Sequence, residues 1–298
     1  MGIITVDWVA RDSLFSTSIS ISRYMKIATF SLALALLTLG LTTSAYSHAA
    51  APGWNALSRQ ADLLYRQGQY TRATEVAKQA LQVAEQALGP DHPDVATSLN
   101  SLALLYSAQE QYAQAEPLYK RALAIDEKAH GPDHPDVAAS LNNLAQLYHA
   151  QEQYALAEPL HKRALAILEK VFGPDHPNVV ISLNNLALLY HAQKQYVQAE
   201  PLYKRVLAIS QKALGPEHPN VALGLNNLAG LYRDQGKYPN AEPLFRRALA
   251  ISEKVFGPDH PNVATGLENL AQLYRDIGYA SKAVPLEKRA AEIRALRR

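Results

Sequence analysis

The sequence predicts an all-α protein, a superhelical solenoid of about six helical hairpins. Three observations carry that prediction. First, Gly-Pro-Asp-His-Pro stands at positions 89, 131, 173 and 257, and Gly-Pro-Glu-His-Pro at 215, so the motif returns every 42 residues; a fixed period of this size is the mark of a repeat architecture. Second, apolar residues between these motifs recur at helical spacing: Leu141, Leu144, Ala145 and Tyr148 fall at i, i+3, i+4 and i+7, which places them on one stripe of a helix. Third, one hairpin cannot bury its own apolar face, so stacked copies are needed to build a continuous core.

Taken from the N-terminus, residues 1–24 show no periodicity and read as an upstream extension or an unusually long n-region. Met25-Lys26 followed by the apolar run Ile27 to Leu41, then by Thr42, Thr43 and Ser44, reads as a signal peptide over 25–49, because the run is shorter than the roughly 20 residues a spanning helix needs. Translation is expected to begin at Met25, with cleavage after Ala49 or, equally well, after Ala45. The expectation is export to the periplasm or beyond, with no stable membrane span after cleavage; an uncleaved anchor is the alternative.

A degenerate first repeat occupies about 54–88, and five near-copies follow at about 92–130, 134–172, 176–214, 218–256 and 260–298. Together they make one array over 54–298. In each copy Gly-Pro closes the preceding helix and the second Pro suits the first position of the next, and Asp136 places negative charge in that helix's first turn, where it complements the N-terminal dipole. Tyr154, Ala157, Leu160, Ala164 and Ile167 form the apolar stripe of the second helix. Pro117, Pro159, Pro201, Pro243 and Pro285 resist this reading, since a proline about five residues into a helix removes a backbone bond. Either that helix starts late or its first turn bends.

Composition excludes more than it assigns. The 298 residues contain no Cys, which removes disulfides, thiolate zinc sites and cysteine nucleophiles. The 29 Lys and Arg against 27 Asp and Glu give no electrostatic ground for a nucleic-acid partner. No nucleophile with a base, no Gly-rich phosphate loop and no isolated carboxylate pair stands outside the repeat pattern, so the chain reads as a non-enzyme without a cofactor.

The small residues around Leu144, Ala145, Tyr148, Tyr154, Ala157 and Ala164 resemble the tetratricopeptide signature. The 42-residue period and the Gly-Pro-Asp-His-Pro linker make the repeats similar to those of kinesin light chains and of bacterial proteins built from the same unit. What the resemblance implies is a scaffold or adaptor that holds a protein or peptide partner in a concave groove lined by each repeat's first helix. The first repeat carries Gln60, Ala61 and Leu64 without the Asn pair found at 142–143, 184–185 and 226–227, which suggests a cap.

At 100° per residue, Asn142, Gln146 and His149 share the helix face opposite Leu144 and Tyr148, so they are expected to face that groove. The equivalent candidates are Asn100, Asn184, His191, Asn226, Arg233, Gln272 and Arg275. Asn100, Asn142, Asn184 and Asn226 would form a ladder able to pair with a ligand's main chain, whereas Asn143, Asn185, Asn227 and Asn269 are expected to bond between repeats. Arg233-Asp234 and Arg275-Asp276 offer a place for a carboxylate, unless the aspartates neutralise the arginines. The linker histidines His92, His134, His176, His218 and His260 are expected to pack or cap rather than bind metal, because repeats stack roughly 10 Å apart and zinc bonds are about 2 Å long. Self-association of near-identical repeats into a structural array is the alternative function.

Overall fold

The computed structural model describes residues 53–296. The extension at 1–24 and the signal peptide expected at 25–49 lie outside the described residues. Among the described residues the chain is helical throughout. The helices are α1 (Trp54–Arg66), α2 (Tyr70–Leu88), α3 (Pro93–Ala108), α4 (Tyr112–His130), α5 (Pro135–Ala150), α6 (Tyr154–Phe172), α7 (Val180–Ala192), α8 (Tyr196–Leu214), α9 (Pro219–Asp234), α10 (Tyr238–Phe256), α11 (Pro261–Ile277) and α12 (Ala280–Ala295). A single 3-10 turn, Pro177–Val179, leads into α7.

The described chain divides between Pro174 and Asp175 into two compact units. In the first, the hairpins α1–α2, α3–α4 and α5–α6 follow one another, with α2 packed on α3, α4 on α5, and the first helices α3 and α5 touching directly. In the second, α7–α8, α9–α10 and α11–α12 repeat the arrangement, and there α9 touches α11.

The linker motif acts through a stop and a start. Gly131 adopts φ 85°, a left-handed conformation that costs a residue with a Cβ, and its N–H bonds the Glu127 carbonyl at 3.0 Å to close α4. His134 then caps α5: its Nδ1 accepts the Asp136 N–H at 3.2 Å, satisfying one of the unpaired amides at the helix start. His92, His176, His218 and His260 do the same at the other junctions, each at 3.1–3.2 Å. The recurring histidines are therefore capping residues.

The internal prolines are absorbed in the first turn. Every second helix that contains one begins with a doubled bond to the residue before it: Leu156 N–H and Ala157 N–H both reach the Gln153 carbonyl, at 3.0 and 3.2 Å, and the same pair occurs at Gln111, Gln195, Lys237 and Tyr279. The shorter of these bonds is a 3-10 contact. In α2, where Glu75 replaces the proline, Gln69 accepts only the Ala73 N–H. The helix thus neither starts late nor breaks; its opening turn tightens.

Small residues set the helix spacing. Ala145, Ala157 and Ala164 are fully buried, as are their counterparts Ala229, Ala241 and Ala248 in the second unit. Leu141 and Leu225 are fully buried beside them, a burial worth about 1.5–3 kcal/mol for each side chain. Tyrosines near the ends of the first helices tie neighbouring hairpins together: Tyr148 Oη donates to Glu116 at 2.9 Å, Tyr232 to Glu200 at 2.9 Å and Tyr274 to Glu242 at 2.8 Å. Arg163 with Glu127, at 2.7 Å, and Arg289 with Glu253, at 2.5 Å, link successive second helices. These half-exposed ion pairs add only about 0–1 kcal/mol each.

Candidate protein-binding face

The face built from α3 and α5 is polar but largely self-satisfied. Asn142, expected to point into an open groove, is 1% exposed and accepts the His161 Nδ1–H at 2.8 Å. His161 itself is fully buried. The ladder expectation is corrected here by an acceptor-donor pair that closes one hairpin from within. Beside it lies His149, its ring 5.5 Å from that of Tyr154. Burial depresses the His149 imidazole to about 4, and burial followed by the nearby His149 depresses His161 to about 3, so both are neutral at pH 7.

Asn100 is half-buried and heads a chain of bonds: its Nδ2 donates to Ser140 Oγ at 3.1 Å, and Ser140 donates to Asp126 Oδ2 at 2.6 Å. Asp126 is buried, and that burial, opposed by the Ser140 bond and reinforced by the Asp136 charge, pushes its carboxyl up to about 7.

In the second unit the strip runs across α7, α9 and α11. Asn184 is 4% exposed and accepts from Asn227 Nδ2 at 2.8 Å, a contact between first helices that again closes the ladder. Asn185 is buried with neither amide atom bonded, unlike the inter-repeat role expected of it. His191 Nε2–H donates to Asp234 Oδ2 at 3.0 Å, and Arg233 grips the other Asp234 oxygen through Nε and Nη2 at 3.0 and 2.9 Å. Burial alone would raise the Asp234 carboxyl, but the His191 bond and the Arg233 charge outweigh it and hold it low. Arg233 also reaches Asp276 at 3.7 Å, and Gln272, which is exposed, donates to Asp276 at 2.8 Å. Arg275 turns away from Asp276 and makes a two-point contact with Glu287 at 2.8 and 2.6 Å. Both arginines proposed for a ligand carboxylate are thus already paired.

Three of the expected residues retain unused hydrogen-bonding atoms. Asn100 Oδ1, Gln146 Nε2 and Asn226 Oδ1 are buried atoms without a partner in the protein. All three lie on first helices, α3, α5 and α9.

Sequence reasoning missed the partners twelve residues further on. Position 149 looks across the hairpin to position 161, and the pairings Ser107 with Tyr119, His191 with Tyr203 and Arg275 with Glu287 occupy the same two places. The sequence carries only part of this signal: the pairs are Ser with Tyr, His with His or Tyr and Arg with Glu, but Arg233 stands twelve residues before Phe245.

Fold and face together define a helical-hairpin repeat protein whose first helices carry polar side chains, most of them bonded within the protein. The sequence matches the family described as tetratricopeptide repeat over residues 55–128, 107–170, 136–212, 181–254 and 220–295, and the chain belongs to that family, in its kinesin light chain-like form. A Podosopora anserina protein described as a kinesin light chain with nearly identical TPR-like repeats is 30% identical, with a TM-score of 0.60, covering 70% of this chain and 98% of its own. BtubC (BKLC) from P. vanneervenii is 26% identical, with a TM-score of 0.62, covering 81% and 92%. A Rap protein complexed with competence and sporulation factor shares the fold at 14% identity and a TM-score of 0.58, covering 96% and 90%. No curated protein matches the chain. No helix among the described residues is long and apolar enough to cross a membrane.

Proposed function

We propose that the protein is an exported, non-enzymatic scaffold that binds a protein or peptide partner along the face of its first helices. The observation that carries this reading is the array of tetratricopeptide hairpins matched between residues 55 and 295, whose first helices carry the polar residues Asn100 and Gln146 in the first unit and Asn226 in the second. Neither Asn142 nor Asn184 belongs to the contact set, because their acceptors are spent inside the protein. Export rests on the apolar run at 27–41 behind Lys26.

In-cell cross-linking with mass spectrometry on the envelope fraction tests both parts. A partner captured by the native chain and lost from an Asn100, Gln146, Asn226 to Ala variant of unchanged helicity supports the face. Equal capture by the variant removes it, and recovery of the uncleaved chain in the cytoplasm removes export.

A further inference from the structure

His130 breaks the repeat. The residue that ends the second helix before the linker is Leu88, Phe172, Leu214 or Phe256 in the other copies, and only at this junction is it a histidine. Phe256 shows what the position does structurally: its ring stacks on the capping His260 with centroids 4.6 Å apart. His130 keeps that stack, on His134 at 4.5 Å, but adds a ligand atom to it.

Asp136 completes the group. Its Oδ2 lies 3.6 Å from His130 Nε2 and 3.4 Å from His134 Nδ1, and one ligand atom from each of the three residues lies within 4.8 Å of the others. Zinc bonds of about 2.0–2.2 Å at tetrahedral angles require ligand atoms about 3.3–3.5 Å apart. Two edges of such a polyhedron already exist; because the two imidazoles stack with their planes only 22° apart, the third closes when one surface ring swings out of the stack so that both in-plane nitrogen lone pairs point at the ion. The other junctions lack one or two of the three residues: the first has Leu88 with His92 and Asp94, and the later ones carry Asn178, Asn220 or Asn262 in place of the aspartate.

We propose that His130, His134 and Asp136 form a surface site for a divalent transition-metal ion, zinc or copper(II), that clasps the end of α4 to the start of α5. Two imidazoles and one carboxylate are the borderline donors such ions prefer, and three protein ligands leave a coordination position open. Linker histidines of different junctions stand too far apart to share one ion, whereas the three ligands here come from a single junction. The ion competes with the Asp136 N–H for His134 Nδ1, so the site binds more weakly than a closed, four-ligand structural zinc site.

Calorimetric titration of the untagged full chain with Zn²⁺ is the test. One equivalent is expected, weakened at least tenfold in both H130F and D136N; each puts in the residue this chain uses at the equivalent place, so helicity is preserved. L88H, which recreates the triad with His92 and Asp94, is expected to add a second equivalent. Absence of saturable binding, or an equivalent that persists undiminished in H130F and D136N, overturns the assignment.

Discussion

Asn142 Oδ1 and His161 Nδ1 lie 2.8 Å apart, both residues shielded from solvent, and bind the two helices of one hairpin. The other imidazole nitrogen, His161 Nε2, is buried without a partner. N142A therefore strands the Nδ1–H as well and is expected to lower stability by about 1–3 kcal/mol. In H161F, which copies Phe245, the same N142A change is expected to cost less. Urea midpoints of the four proteins in this cycle check it, and equal costs in both backgrounds refute it.

The buried imidazoles make the first unit acid-sensitive. The unfolded chain takes up protons near pH 6.5, while folded His149 and His161 resist until about 4 and about 3. Between those limits the unfolded state holds more protons, so stability rises with pH and is lost on acidification. From pH 7 to pH 5 the loss is expected to be about 1–2 kcal/mol for each histidine, read as a drop in urea midpoint that shrinks in H149S, which copies Ser107.

Asp126 works in the opposite direction. Its folded carboxyl titrates at about 7 against an unfolded value near 3.8, so its contribution is full below pH 4 and is lost as pH rises toward and past 7. D126S, copying Ser210 and Ser252, is expected to stabilise the protein at pH 8 by about 1–3 kcal/mol, with the gain vanishing by pH 5. A gain that is the same at both pH values counts against a buried charge as its cause.

The hairpin turns hold another test. Glu110, Glu152 and Lys194 occupy the left-handed region with φ of 57–60°, where Gly68, Gly236 and Gly278 stand in the other repeats. The conformation costs a residue with a Cβ about 1–2 kcal/mol, partly offset by the greater freedom glycine loses on folding. E152G is expected to raise stability by about 0.5–1 kcal/mol and G236A to lower it; thermal melts of the two variants give the signs.

Much of this is legible in the amino-acid sequence. The 42-residue period placed the linkers, and the stripes Leu141, Leu144, Ala145, Tyr148 and Tyr154, Ala157, Ala164 placed both helices of each hairpin, because helix formation and burial of an apolar stripe are local consequences of spacing. The Pro159 puzzle was posed by the sequence but answered by the doubled bonds to the Gln153 carbonyl, a feature with no residue signature beyond the proline itself.

What the sequence determined by itself was the repeat, the hairpin and the family, since each repeat's pattern is written within its own 42 residues. Only the tertiary structure decided which polar atoms are already bonded. Asn142 and Asn100 stand at equivalent positions, yet one spends its acceptor on His161 and the other leaves its acceptor unbonded. The choice depends on side chains that the fold brings in from another helix. Helical periodicity fixes the face on which an asparagine stands; the neighbours that meet it there decide whether its hydrogen bonds are already made.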